Sequence, residues 1–343
     1  MTTGPQIPTE TSPAVSPQAA TDAPEVLVVI VNFNGGEMLS RAVAALGRQT
    51  FTGYRLVVVD NASSDGSIAL LRDRNPEVDV LDAGANLGFA AANNLAVRTY
   101  PGSRWIALLN PDAYPEPEWL QHLVAAARQH PQFASFSSRT LDAEAPQRMD
   151  GAGDDYHVSG RYWRRGHGCP VSEAYLSKET IFSACAAAAL YSRAAWDQVG
   201  GMDADFFCYG EDVDLGFRLQ LAGFGCLYVP ESVALHQGSA VTGRKSDFST
   251  YHGQRNLVWV FVKNMPGWLF WMLLPYHLLL NLGAILGCAL RGQISLVLRA
   301  KRDAMFGLPA AWRKRRAIQS SRRVGPGAIW RLLQRGWPGP AGC

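Results

Sequence analysis

Six consecutive apolar residues, VLVVIV (Val26–Val31), form the stretch that decides the fold. Two runs of the same kind follow it, RLVVVD (Arg55–Asp60) and WIALLN (Trp105–Asn110). Unbroken apolar runs rich in β-branched residues are typical of strands that are buried on both faces of a sheet. The sequence therefore predicts three buried strands in the first third of the chain.

Helical patterns separate these runs and extend beyond them. Amphipathic spacing predicts helices over Met38–Arg48, Ser67–Arg74, Phe89–Arg98 and Trp119–Gln129. Strands that alternate with helices indicate βαβ units, and hence an α/β fold with a mainly parallel central sheet and helices on both faces. Ligands of such sheets bind beyond the carboxyl ends of the strands.

Short polar side chains follow all three apolar runs. They are Asn32 and Asn34, then Asp60 and Asn61, then Asn110 and Asp112. Because the carboxyl ends of parallel strands meet at one edge of the sheet, we expect these side chains to lie around one pocket. The Asp112 carboxylate could hold Mg²⁺ or Mn²⁺ if oxygen ligands from elsewhere complete the site. The alternative is an ordinary Asn-Pro-Asp turn.

The second half of the chain is less regular. It predicts a strand over Ile181–Tyr191, a helix over Asp212–Leu221, short strands at Leu227–Val229 and Val233–Leu235, and a helix over Tyr251–Lys263. No periodicity is visible between residues 139 and 180.

The densest acidic cluster is FFCYGEDVDLGFR (Phe206–Arg218), in which Glu211, Asp212 and Asp214 open a predicted helix. The helix N-terminus favours ionised carboxylates, and an ionised aspartate in a cleft can act as a general base. The alternative is the acidic bias of any helix start, for which one carboxylate would suffice.

Two further motifs are weaker when each is taken alone. In NLGFAAANN (Asn86–Asn94), Gly88 would let a backbone approach a phosphate at a helix start, although the motif by itself favours a plain helix start capped by Asn86. His236 follows a short strand and could complete a metal site, although a lone histidine is usually structural.

Charge is distributed unevenly along the 343 residues. The formal net charge is +3, yet the chain from Arg291 onward holds twelve Lys and Arg residues and a single acid, Asp303. An acidic body with one basic end argues against nucleic-acid binding and favours an anionic membrane surface as partner. Six cysteines without a CxxC pair predict free thiols in a reducing compartment.

An uncharged stretch of 23 residues, Trp268–Leu290, precedes the basic end. It is long enough to span a bilayer, to lie in its interface, or to form a buried core helix. A single crossing would separate the basic tail from the catalytic body, so the positive-inside tendency favours a monotopic or re-entrant segment. The first 24 residues lack Lys, Arg and an apolar core, and we expect a disordered leader rather than a secretory signal.

The order and spacing of these motifs resemble a family 2 glycosyltransferase of the GT-A fold, close to its rhamnosyltransferase-like bacterial branch. The resemblance runs from Val26 to Pro266 and includes VVVDNASSDGS, NLGFAAANN, LNPDA, the acidic block, LHQGS and GQRN. It implies a GT-A domain (25–264) with a nucleotide-binding half (25–138) and an acceptor half (139–264). Composition adds a leader (1–24), a membrane-associated segment (265–298) and a basic tail (299–343).

The resemblance also implies roles for individual residues. Asp212 would be the catalytic base, supported by Glu211, and Asp112 with His236 would hold Mg²⁺ or Mn²⁺. Asn110 replaces the first acid of the family's DxD motif. The nucleotide-sugar would contact Asn32, Asn34, Asp60, Asn61, Asn86, Gly88, Asn110 and Asp112, and the acceptor or a phosphate would contact Asp214, Arg218 and Arg255.

The implied activity is inverting transfer of a sugar, with L-rhamnose as the best guess, from a dTDP- or UDP-sugar to a lipid-linked or cell-envelope glycan. The implied location is the cytoplasmic face of a bacterial membrane, with attachment through residues 268–290. Galactofuranose, glucose or N-acetylglucosamine transfer remains an alternative, as does a non-catalytic nucleotide-sugar-binding adaptor. A Rossmann dehydrogenase is excluded because no GxGxxG follows Val26–Val31. The sequence predicts no oligomeric state.

Overall fold

A computed structural model describes residues 23–238, 246–337 and 339 of the chain. The predicted leader therefore lies outside the described residues except for its last two positions.

The first four strands are parallel and begin the sheet as the sequence predicts. They are β1 (Val26–Asn32), β2 (Tyr54–Asp60), β3 (Asp79–Asp82) and β4 (Trp105–Leu109), and the connecting helices are α1 (Gly36–Leu46), α2 (Ser67–Arg74) and α3 (Gly88–Thr99). The register places Asn32 beside Asp60 and Asp60 beside Asp82. The strand ends with their polar residues thus form one edge.

The unbroken apolar run of β1 is explained by burial on two faces. Val26, Val28 and Ile30 belong to a core cluster that contains residues of α1 and α2, whereas Leu27, Val29 and Val31 belong to a second cluster with residues of α3. Successive side chains of a strand point to opposite faces, so a strand covered on both sides needs apolar residues at every position.

The sheet continues through strands that mix directions. After β5 (Ala113–Pro115) and α4 (Trp119–Gln129) come β6 (Phe133–Asp142), β7 (Met149–Gly151), β8 (Asp154–Tyr156), β9 (Tyr162–Arg164), β10 (Glu179–Ile181) and β11 (Ala188–Ser192). Helices α5 (Arg193–Val199) and α6 (Glu211–Leu221) lead to β12 (Gly225–His236). The order is β10-β12-β6-β11-β4-β1-β2-β3, with β11 antiparallel to both of its neighbours.

Two predictions in this half need correction. The single strand predicted over Ile181–Tyr191 is two strands, β10 and β11, because the segment between them leaves the sheet and lines a cavity. The two short strands predicted at Leu227–Val229 and Val233–Leu235 are parts of one strand, β12, whose pairing with β6 shifts register between them.

Four helices end the described chain: α7 (Asp247–Asn264), α8 (Gly267–Ala289), α9 (Ile294–Ser321) and α10 (Pro326–Leu332). They share a third core cluster with α6 and β8, so the C-terminal helices pack on the sheet domain. The boundary predicted at residue 264 falls at the end of α7, whereas the boundary predicted at residue 298 falls inside α9.

Cysteine chemistry departs from the expectation of free thiols at one position. Cys185, Cys208, Cys226 and Cys288 are free, whereas Cys169 is disulfide-bonded.

Candidate active site

A cavity of about 450 Å³ lies beyond the carboxyl ends of β1 and β4. It collects residues from strand ends, from the start of α6 and from the β8–β9 hairpin. Eight residues predicted from the sequence line it: Asn61, Asn86, Gly88, Asn110, Asp112, Glu211, Asp212 and His236.

Asp112 and His236 form a buried pair on one wall of this cavity. Nε2 of His236 lies 3.2 Å from Oδ1 of Asp112, and its Nδ1 lies 2.8 Å from Oδ2 of Asp150. Asn110 completes the group, with Nδ2 at 3.4 Å from Nε2 of His236. Burial alone would lower the pKa of His236, but its hydrogen bonds to the two carboxylates raise it to about 9. Strand β12 supplies the histidine, and the turn after β4 supplies the other two residues of the wall.

The N-terminus of α6 presents Asp212 to the same cavity. Its Oδ2 accepts a hydrogen bond from the backbone N–H of Ala186 at 3.2 Å, and its Oδ1 accepts one from Val213 at 2.8 Å. Burial raises the pKa of Asp212, although these N–H groups and the Arg164 guanidinium act in the opposite direction. A carboxylate held in this way is fixed in position and is a stronger base than an exposed aspartate.

Glu211 is buried beside Asp212, and its Oε2 has no hydrogen-bond partner. Burial and the charge of Asp212 raise the pKa of Glu211 well above its usual value. Two adjacent carboxyl groups thus have different environments, and both oxygens of Asp212 accept backbone hydrogen bonds whereas Oε2 of Glu211 has no partner.

Asp154 and Arg164 belong to the site although no sequence signal indicated them. Asp154 is buried, its Oδ2 lacks a hydrogen-bond partner, and its carboxylate lies within 4.8 Å of Asp212 and of the Cys185 sulfur. Nη1 of Arg164 donates to both oxygens of Asp150, at 2.9 and 2.7 Å. Arg164 is the only Lys or Arg among the described residues that line the cavity.

The polar residues after β1 and β2 mainly hydrogen-bond to one another. Nδ2 of Asn32 donates to the hydroxyls of Ser63 and Ser67, each at 2.9 Å. Asn34 Oδ1 accepts from the Ser64 amide, and Asp60 Oδ1 accepts from the Ser63 amide. These three predicted residues, Asn32, Asn34 and Asp60, hold the loop between β2 and α2 and are not among the residues that line the cavity.

Asn61 and Asn86 connect this loop to the start of α3. Nδ2 of Asn61 donates to Oδ1 of Asn86 at 2.9 Å, and Oδ1 of Asn86 also accepts from the Gly88 amide at 3.0 Å. At Gly88, φ is +78° and a Cβ would lie 2.6 Å from Phe207. Only glycine allows the α3 start to approach the Phe207 loop so closely.

Three predicted contact residues lie elsewhere. Asp214 and Arg218 form a fully buried ion pair at 2.8 Å, in which Asp214 also contacts Lys263 at 2.8 Å. Arg255 donates to the carbonyls of Asp205 and Phe206. None of the three predicted residues lines the cavity, and their observed partners are protein groups, so their contact with the acceptor or a phosphate stays a prediction.

Solved structures of similar fold define the class of protein. The chain superimposes on the crystal structure of GalNAc-T7 with UDP, GalNAc and Mn²⁺ with a TM-score of 0.56 and 17% identity, covering 71% of this chain and 48% of that one. It superimposes on the mannosyltransferase PcManGT from Pyrobaculum calidifontis, in complex with GDP-Man and Mn²⁺, with a TM-score of 0.53 and 17% identity over 91% and 88% of the two chains. The fold is that of GT-A glycosyltransferases, as the sequence predicts.

Sequence similarity gives the family. Residues 27–200 match Glycosyl transferase family 2, and the chain belongs to this family. It is 30% identical over 240 residues to the N-acetylglucosaminyl-diphospho-decaprenol L-rhamnosyltransferase of Mycobacterium tuberculosis, covering 63% of this chain and 77% of that protein. It is also 25% identical over 235 residues to the O-antigen biosynthesis protein RfbC of Myxococcus xanthus, covering 65% of this chain and 18% of that protein. The predicted rhamnosyltransferase-like branch of the family is confirmed.

Proposed function

We propose that this protein is an inverting glycosyltransferase that moves L-rhamnose from a dTDP- or UDP-sugar to a hydroxyl group of a lipid-linked or cell-envelope glycan. The similarity to a rhamnosyltransferase named for a diphospho-decaprenol acceptor supports the choice of sugar and acceptor. Galactofuranose, glucose and N-acetylglucosamine are the alternative sugars.

One observation carries the proposal: the Asp212 carboxylate and the Asp112–His236 pair line the same cavity. Asp212 accepts the proton of the acceptor hydroxyl while the hydroxyl oxygen attacks the anomeric carbon of the sugar. Glu211 supports the base from the buried side. The bond from that carbon to the diphosphate oxygen breaks in the same displacement, which inverts the anomeric centre.

The donor set around His236 fits Mg²⁺ or Mn²⁺. Asp150 accepts the Nδ1–H, so Nε2, which faces Asp112, is the ring atom that would bind a cation in place of its proton, and a carboxylate behind a histidine is the usual support of a metal-binding imidazole. Asp112 and His236 would hold the cation, with Asn110 beside them in place of a second acid. A divalent cation here would stabilise the charge of the departing nucleoside diphosphate. The Mn²⁺ in the two structural neighbours supports this proposal.

The nucleotide belongs, in this proposal, at the edge formed by the ends of β1 and β2. Asp60 would accept the imide N–H of the base, with Asn61 beside it. Asn86 and Gly88 would lie near the phosphates, where the N-terminus of the 12-residue α3 favours negative charge. Asn32 and Asn34 contribute by fixing the loop between β2 and α2, which follows Asp60 and contains Asn61.

We place the enzyme on the cytoplasmic face of a bacterial membrane. Helix α8 is long and apolar enough to cross a bilayer, and most of its apolar residues are not buried inside the protein. Yet His277, in its middle, is buried with its ring stacked on Phe261 at 4.1 Å and its Nδ1 donating to the Ser159 carbonyl. A helix tied to the catalytic domain along one side supports a peripheral or monotopic attachment.

A donor screen tests the proposed function. Purified full-length protein is incubated with a lipid-linked N-acetylglucosamine diphosphate acceptor and with dTDP-rhamnose or a UDP-sugar, with and without Mn²⁺, and products are weighed by mass spectrometry. We expect one added deoxyhexose from dTDP-rhamnose. An added hexose would assign galactofuranose or glucose and an added N-acetylhexosamine would assign N-acetylglucosamine, whereas nucleotide-sugar binding without transfer or hydrolysis would favour the adaptor.

A further inference from the structure

A notch of about 340 Å³ lies between the start of α8 and the second half of α9. Three of the six residues that line it are arginines, and none is acidic: Gly267, Trp312, Arg315, Arg316, Gln319 and Arg322. We call this cavity the arginine notch. It is separate from the candidate active site and shares no lining residue with it.

The Arg315 side chain lines the arginine notch and is held in place by hydrogen bonds. Its Nη1 donates to the carbonyls of Val262 and Met265, at 2.9 and 2.6 Å, and its guanidinium carbon lies 4.5 Å from the centre of the Phe270 ring. Burial and the charge of Arg322 lower the pKa of Arg315 to about 10, so Arg315 remains charged at neutral pH. A guanidinium held in this way is preorganised for an anion.

The positive charges of the notch have no ion-pair partner among the residues that the structure describes. Nη1 of Arg322 is buried without a hydrogen-bond partner, and it lies close to Gly267, where a Cβ would be 3.5 Å away. None of the three arginines forms an ion pair with any described residue, whereas the adjacent Lys314 contacts both Asp203 and Asp205. Neighbouring like charges without an anion are unfavourable, and an external anion would relieve this cost.

Exposed aromatic residues beside the notch indicate which class of molecule carries the anion. Trp268 and Trp271 of α8 are 54% and 66% exposed, and Trp312 lines the notch itself with its ring centre 5.7 Å from that of Phe270. Tryptophan is enriched at the boundary between lipid headgroups and acyl chains. An anion bound next to such residues is one that carries apolar chains.

We propose that the arginine notch binds the phosphate of an anionic membrane phospholipid while the exposed apolar face of α8 lies in the bilayer. Guanidinium groups suit phosphate because they can donate two parallel hydrogen bonds. The inference rests on the membrane attachment proposed above, but it is independent of the sugar, the donor and the catalytic residues.

The test is co-sedimentation of the full-length protein with vesicles of phosphatidylcholine alone and of phosphatidylcholine mixed equally with phosphatidylglycerol. The variant Arg316→Gln/Arg322→Gln removes two charges from the notch and spares Arg315, whose hydrogen bonds hold the chain. The matched control, Arg313→Gln/Arg331→Gln, removes two exposed arginines outside the notch. Unfolding temperatures of both variants verify that they are folded.

We expect the notch variant to bind the anionic vesicles about tenfold more weakly and the control to lose no more than about threefold. Binding to phosphatidylcholine alone should be the same for all three proteins. Equal losses in the two variants would show general electrostatic attraction and overturn the proposal. If the glutamine variant does not fold, the variant Arg316→Lys/Arg322→Lys is tested in its place. It keeps the charge but should still weaken binding, because ammonium groups lack the paired donors. Unchanged vesicle binding of this variant would overturn the proposal.

A competition experiment distinguishes binding of a lipid phosphate from binding of a soluble phosphate. Inorganic phosphate is added at millimolar concentration, with chloride at equal ionic strength as the reference. Persistence of vesicle binding supports the lipid assignment, whereas selective release by phosphate would show a site for soluble anions and overturn it. No sugar donor is present, so failure of this test and failure of the glycosyl transfer assay are distinguishable.

Discussion

At the scale of single residues, Asp212 has the features that a general base requires. Backbone N–H groups of Ala186 and Val213 fix its carboxylate, and the cavity gives it access to a substrate. We expect Asp212→Asn to lower kcat by at least about 100-fold while nucleotide-sugar affinity changes less than about threefold, because the amide keeps the shape but cannot accept a proton. Steady-state rates and calorimetric donor titration measure the two effects, with the half-exposed Asp205→Asn as control. Near-normal turnover of the Asp212 variant would contradict its role.

The pH dependence of activity follows from the burial of the same group. Burial raises the pKa of Asp212, and only its ionised form can take the hydroxyl proton. As pH falls through this raised pKa, the ionised fraction and hence kcat/KM should fall. We expect the acid limb of the pH profile, recorded at saturating Mn²⁺, to lie above about 3.9, the value of an exposed aspartate. An acid limb at or below that value would count against Asp212 as the titrating base.

Arg164 offers the candidate site a positive charge of its own. Asp150 holds one side of the guanidinium, and the remainder of the group is accessible from the cavity. We expect Arg164→Lys to weaken binding of the free nucleoside diphosphate about tenfold, because the charge remains but the planar donors are lost. Calorimetry with the nucleotide measures this effect, and the exposed Arg148→Lys serves as control. Equal affinities of the Arg164 variant and the unmodified protein would show that the group does not face the diphosphate.

Sequence patterns could reveal some of these residues and not others. Asn110, Asp112 and Asp212 stand next to a long buried strand or at the start of a regular helix, where periodicity marks the element. Asp154 and Arg164 lie on strands of three residues, β8 and β9, which are too short to show alternation. Their place in the cavity results from long-range packing that no local pattern records.

At the scale of elements, a buried ion network joins α6 to α7 and α9. Asp214 contacts Arg218 and Lys263, each at 2.8 Å, and Lys263 shares Asp203 with Lys314 of α9. The sequence showed three acids at one helix start and predicted function for all of them. The structure separates them by helical geometry, because Asp214 faces the packed helices whereas Asp212 faces the cavity.

Substitutions at the buried Asp214 and at the partly exposed Lys314 should lower the free energy of unfolding by different amounts. Asp214→Asn leaves the buried cations Arg218 and Lys263 without their shared anion, so the free energy of unfolding should fall by about 3–5 kcal/mol. Lys314→Gln, which removes a partly exposed partner, should cost less than about 1 kcal/mol. Urea unfolding followed by circular dichroism measures both. A loss below about 1 kcal/mol for Asp214→Asn would show that the network does not support the fold.

A similar lesson comes from the strand predicted over Ile181–Tyr191. Its residues are apolar or small throughout, and a strand is the obvious interpretation of such a run. In the structure Ser183 contacts α6 and Ala186 donates its amide to Asp212, so the middle of the run leaves the sheet to build the site. Hydropathy cannot distinguish residues buried in a sheet from residues buried under a cavity.

At the scale of the whole molecule, the C-terminal helices pack on the rest of the protein and also carry exposed apolar side chains. Helix α8 buries Leu269, Phe270, Leu273 and His277 against the sheet domain and leaves its other side exposed. The sequence could predict an apolar segment of sufficient length. It could not predict which side of the helix is covered, because the segment is apolar all round and that choice depends on contacts with α7 and α9.

The membrane prediction is therefore best tested on the exposed side alone. Truncating the chain after Pro266 would expose the third core cluster and remove Lys314 from its carboxylates, so loss of membrane binding could then reflect unfolding. The variant Trp271→Ser/Leu279→Ser instead alters two side chains that are each 66% exposed. Each buried apolar side chain contributes about 1.5–3 kcal/mol to transfer from water, so membrane partitioning should fall at least about 100-fold while the unfolding temperature is maintained. Fractionation of cell lysates and vesicle binding measure the loss, with Leu273→Ser as the opposite control, since it should destabilise the protein. Unchanged membrane recovery of the folded double variant would show that this side of α8 does not enter the bilayer.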